Sequence, residues 1–130
     1  MFLRNSLLVA ALSMAACAGS WQKQTQTGLS VAHDITKAAS AIAEPYFHKQ
    51  CTERARECGG AIPASCQAMR ACQEARAKFN KIAIIVQYLI ADGMHAVALA
   101  DKEAAAAKLV KVLALVDQIH MQLRELGVYK

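Results

Sequence analysis

The sequence predicts an all-α domain: an antiparallel three-helix bundle running up, down and up, with a disulfide-stapled helical hairpin. Three observations carry this expectation. The chain is 55% hydrophobic but only 5% aromatic, alanine dominates its apolar fraction, and no stretch alternates Val, Ile and Thr. Such a composition suits closely packed helices better than a sheet. Apolar residues also recur at alternating steps of three and four in three separate runs, which marks one buried face per helix. Finally, four cysteines flank a single Gly-Gly-x-x-Pro break at Gly59 to Pro63.

The first run places Thr25, Gly28, Ala32, Ile35, Ala39, Ile42 and Tyr46 on one face. Pro45 lacks a backbone donor and restricts Glu44, so a kink or short break is expected there before the helix continues to Cys58. Gly59-Gly60 then stops it. The second helix is expected to start near Pro63 to Ser65, since Pro suits an early position and Ser a cap. Its face reads Ala68, Cys72, Ala75, Phe79, Ile82, Val86 and Leu89, and Asp92-Gly93 offers the next turn, with a bent helix running on as the alternative. The third face reads Met94, Ala98, Ala105, Leu109, Val112, Val116, Ile119, Leu123 and Leu126, with Gly127 as the stop. Spans of about 31, 27 and 33 residues, at 1.5 Å per residue, are matched lengths that suit an up-down-up bundle.

The cysteines fit that hairpin. Residues facing each other across an antiparallel pair have a nearly constant sum, and both Cys51 with Cys72 and Cys58 with Cys66 meet that condition. The neighbouring alanines allow the Cα approach of roughly 5.5 to 6 Å that a disulfide needs. Closing a loop of about 20 residues stabilises by roughly 3 kcal/mol on the chain-entropy estimate. Structural zinc favours cysteines two to four residues apart, and thiol exchange favours Cys-x-x-Cys; these gaps match neither, and no cofactor is expected.

The N-terminus reads as an export signal. Arg4 supplies a short cationic start, and the ten residues Leu7 to Ala16 are apolar except for Ser13, too short to span a bilayer but right for a signal core. Met14-Ala15-Ala16-Cys17 resembles the lipobox of bacterial lipoproteins, with Met14 where that family favours Leu. The resemblance covers the first 20 residues only. It implies that residues 1–16 are removed and that Cys17 is lipidated; residues 18–26, polar apart from Trp21 and without a helical pattern, read as a tether, which gives an anchor and tether over 17–26 and a bundle over 27–130. The resemblance also implies the outer membrane facing the periplasm, because Ala18 and Gly19 lack the retaining Asp of inner-membrane members. Ala16-Cys17-Ala18 fits ordinary small-x-small cleavage as well, which would release the chain. With Cys17 assigned, the remaining four cysteines are an even number, as expected in an oxidising compartment.

Enzymatic chemistry is not indicated. The sequence has no Gly-x-Ser-x-Gly elbow, phosphate loop or His-Glu-x-x-His, and its four histidines are scattered singly. Charge is more informative. Residues 49–81 hold seven bases and three acids, whereas the flanking segments of the exported chain balance to zero. Arg54, Arg56, Arg70 and Arg76 therefore fall at the bridged end, a basic tip suited to an anionic envelope component or an acidic protein face. The competing view is a solvated surface with helical pairs such as Arg70–Glu74 and Glu74–Lys78. No aromatic residues interleave with these bases, so nucleic acid is not expected.

The apolar run from Ile82 to Ala100 is interrupted by Gln87, Asp92 and His95, which favours core burial over a membrane span. Ile84, Ile85, Tyr88 and Ile90 lie off the core stripe and widen the apolar arc, which a third helix or a second protomer could cover. The functional expectation is a lipid-anchored envelope scaffold or adaptor. A small inhibitory lipoprotein of the immunity or exclusion kind comes second, and a hydrolase with an unrecognised site third.

Overall fold

The computed structural model describes residues 20–59 and 66–128, so Cys17, the tether up to Gly19, and Pro63 and Ser65 lie outside the described residues. Three helices make up the domain: α1 over Trp21–Glu57, α2 over Gln67–Ala98 and α3 over Lys102–Glu125. They run up, down and up, and each packs against both of the others. Among the described residues there is no strand.

α1 begins at Trp21, so six residues assigned to the tether belong to the helix. The cause is local: the Ser20 side chain accepts from the Lys23 backbone N–H, an N-cap whose effect is to satisfy an otherwise unpaired donor. Thr25 and Gly28 are then buried in its second turn. Nor does Pro45 break the helix, which continues to Glu57. Pro45 and Ala41, whose carbonyl loses its donor, both sit on the exposed side, where solvent can take the freed carbonyl. Gly59, at φ +74°, ends α1 as expected.

The second turn falls elsewhere than expected. α2 runs straight through Asp92-Gly93 and stops at Ala98. There the Asp101 N–H donates to the Ala96 carbonyl, and Ala100, at φ +56°, donates to Val97. This is a Schellman stop with alanine in the left-handed position usually held by glycine. Asp101 then caps α3 by accepting from the Ala104 N–H at 3.1 Å, so one residue closes one helix and opens the next. Met94 and Ala98 consequently belong to α2. The helices have 37, 32 and 24 residues rather than matched lengths.

Gly93 has a packing role instead. It is buried, and a Cβ added to it would lie 2.9 Å from Leu29 Cδ1 and 3.4 Å from Lys108 Cβ. Side chains of α1 and α3 both approach α2 closely here, and the missing side chain is what permits it.

The core runs along Leu29, Ala32, Ala39, Ala43 and Phe47 of α1, Phe79, Val86 and Ile90 of α2, and Val112, Val116, Ile119 and Leu123 of α3. The α1 face is rotated from the sequence expectation. Both flanks of its alanine row are apolar, and Phe47 decides between them by packing 5.9 Å, centroid to centroid, from Phe79. Ile35 and Tyr46 become half-buried and Ile42 is left largely exposed. Ile90, expected on the outer arc, is instead buried as part of the core: it lies eleven residues, about three turns, from Phe79 and so shares its face of α2.

Candidate functional site

The bridged end is built by the difference in helix length. α3 is pinned to the hairpin where it ends: Gln122 Nε2 donates to the Ala75 carbonyl at 2.9 Å, and the Tyr46 hydroxyl donates to the Leu126 carbonyl at 2.7 Å. That carbonyl is one of those a helix C-terminus leaves without an intrahelical partner, so Tyr46 both caps α3 and locks it to α1. Gly127, at φ +76°, closes the stop, and Val128 turns back onto the core. Beyond this level the third helix is gone. The last eleven residues of α1, from Phe47, and the first eight of α2, to Glu74, continue as a two-helix hairpin.

Two helices alone bury little, and the disulfides take over there. Cys51 and Cys72 are bonded with their Cα atoms 5.6 Å apart, and Cys58 and Cys66 with theirs 6.1 Å apart. This is the nested pairing expected from the sequence. Cys66 sits at the N-cap of α2, just outside the regular helix, which lets it reach Cys58 although it is six residues from Cys72.

Where α3 would otherwise lie, a cleft of about 330 Å³ opens. Tyr46, Phe47, Ala68, Ala71, Ala75 and Leu126 give it an apolar floor, and Gln50 and Arg54 stand among its walls. The alanines of α2 create the space, because a larger side chain at any of them would fill it. Its size and its mix of apolar lining with few polar groups are those of a ligand or side-chain pocket. Sequence reading missed this feature. Its residues looked like ordinary core positions, and only the early end of α3 uncovers them.

Arg54, Arg56 and Arg70 stand on the knob without forming one face, and Arg76 lies just below it, at the level where α3 ends. Arg54 borders the cleft and pairs with Glu57 at 3.1 Å, one turn on. Arg76 pairs with Glu44 across to α1. At about 100° per residue, Arg70 lies about 120° from Arg76 around α2, and Arg56 about 160° from Arg54 around α1. Arg56 and Arg70 are exposed, and among the described residues neither Arg70–Glu74 nor Glu74–Lys78 forms an ion pair. The tip therefore spreads its bases around the hairpin, interleaved with Glu53, Glu57 and Glu74, and one arginine borders the cleft.

No protein-family model, curated protein or solved structure matches the chain. Its own geometry has to carry the reading. Among the described residues, no three His, Cys, Asp or Glu side chains gather in a way that could hold a metal ion. His33 is engaged with Gln87 Oε1 at 2.9 Å, a link between α1 and α2. By length and composition alone, α2 is long and apolar enough to cross a membrane. In the bundle it packs along both other helices.

Proposed function

We propose that the chain is an exported bacterial lipoprotein, anchored through Cys17, that works by binding: an envelope adaptor or scaffold whose bridged tip engages an acidic partner or an anionic envelope component. One observation above all supports this. The hairpin projects past the end of α3 as a disulfide-clamped, positively charged knob with an Arg54-walled apolar cleft. A core-building purpose would not need that projection. A rigid support also spares the entropy that a loose loop would lose on binding. The two bridges favour export, because disulfides persist in oxidising compartments. Binding rather than catalysis is the better reading because the sequence carries no catalytic signature and the cleft offers an apolar floor with one cation.

Labelling and mass spectrometry test the anchor. Cys17→Ser should abolish acylation and leave the chain unprocessed or released. If the wild-type chain carries no lipid and begins at Gly19, the lipoprotein reading is wrong. Photo-cross-linking from Gln50 in intact cells tests the site: a specific acidic protein or anionic polymer is expected, and the absence of any adduct would refute a binding role for the cleft.

A further inference from the structure

α2 carries a second periodic face, turned away from the core. On the outside of the helix, Lys78, Lys81, Ile85, Tyr88, Asp92 and His95 recur at strictly alternating steps of three and four, and all six are exposed. That is the spacing of a coiled-coil seam. Its centre is apolar: Ile85 is 39% exposed, Tyr88 70%, and Ile84 beside them 55%. Isolated exposed apolar residues are ordinary, but a contiguous cluster on a single helix marks a contact surface.

The charges flanking this centre say what covers it. When two copies of a helix pack antiparallel, facing residues have a constant sum of numbers. Ile85 with Tyr88, Lys81 with Asp92, and Lys78 with His95 all give the same sum. One register therefore places the apolar centre on itself and, one step out on each side, a lysine opposite an aspartate. Parallel pairing would set Lys81 on Lys81 and Asp92 on Asp92, which is repulsive. Lys81 has no ion pair among the described residues, and the Asp92 carboxylate, in an ion pair with Lys108 Nζ at 3.7 Å, is still mostly exposed. We infer that the outer face of α2 binds a second copy of this chain, in an antiparallel pair centred on Ile85 and Tyr88.

Such a pair is isologous, so it closes on itself and stops at two copies. It carries its two bridged tips at opposite ends and so presents two binding sites facing away from each other. The N-termini of the two α1 helices also lie at opposite ends, so on a single bilayer the pair lies along the surface.

The test uses the full chain in intact cells, with benzoylphenylalanine in place of Tyr88 and two differently tagged copies expressed together. Irradiation should give a product containing both tags, and the same probe at Lys111, on the exposed side of α3, should not. Lys81→Asp and Asp92→Lys should each lower the yield by about fivefold or more, as expected for coupled charges at close range. The two changes together in one chain should restore it. Circular dichroism of each variant checks that the helices are retained. An adduct of Tyr88 with lipid or with a different protein, no doubly tagged product, or a failure of the combined variant to recover would each overturn the proposal.

Discussion

At the scale of single residues, two positions on α2 and its exit hold conformations that their side chains do not favour equally. Ala100 sits at φ +56° in the stop between α2 and α3. A left-handed residue other than glycine costs about 1 to 2 kcal/mol, and glycine avoids the clash at some cost in unfolded-state entropy. Ala100→Gly should therefore stabilise the fold by about 1 kcal/mol, read as a rise of several degrees in thermal midpoint for a domain of this size. Gly93 is the reverse case. Its absent Cβ would press on the end of the Leu29 side chain, which is fully buried. Gly93→Val should cost about 1 to 3 kcal/mol through overpacking, which chemical denaturation would measure, and a neutral result would show that α1 can move away from α2 there.

At the scale of elements, the hairpin beyond α3 depends on its bridges in a way the rest of the bundle does not. Cys51–Cys72 spans 21 residues and Cys58–Cys66 spans 8. Chain-entropy estimates give about 3 and about 2.5 kcal/mol when each is taken alone. The two are not additive: the inner bridge shortens the loop that the outer one closes, so each adds somewhat less when the other is present. Replacing Cys51 and Cys72 by Ser should thus lower stability by about 3 kcal/mol and raise hydrogen exchange in the segments from Phe47 to Glu57 and Gln67 to Glu74, with exchange in α3 little changed. Uniform loss of protection along all three helices would show instead that the tip and the bundle fold as one unit. The nested pairing was readable in the sequence because residue sums across a hairpin and the Gly59 stop are local geometry. The α2–α3 turn was not. Asp92-Gly93 has turn chemistry, yet its glycine answers to close packing with Leu29, a tertiary demand, while the real stop at Ala100 bears an alanine that no local rule would choose. The α1 face was read one flank over for a similar reason: only the meeting of Phe47 with Phe79 distinguishes Leu29 and Thr36 from Ile35 and Ile42.

At the scale of the whole molecule, the tip brings together a cleft and several exposed arginines, and these make different demands on a partner. If charge alone draws the partner in, then changing Arg54, Arg56, Arg70 and Arg76 to Gln should weaken capture strongly and make what remains less sensitive to salt. Folding should be nearly intact, since exposed ion pairs such as Arg54–Glu57 contribute about 0 to 1 kcal/mol each. If the cleft provides the anchor, then Ala71→Leu, which fills the space left open beside Ala68 and Ala75 without altering any charge, should slow nothing in the encounter but shorten the lifetime of the complex. Surface plasmon resonance with the partner cross-linked from Gln50 separates the two, because steering acts on the association rate and a buried anchor on dissociation. Since Arg54 borders the cleft while Arg70 stands away from it on the knob, Arg54→Gln alone is expected to affect both rates, and Arg70→Gln association only. Unchanged association and dissociation in the four-Gln and Ala71→Leu variants would make the tip a solvated surface.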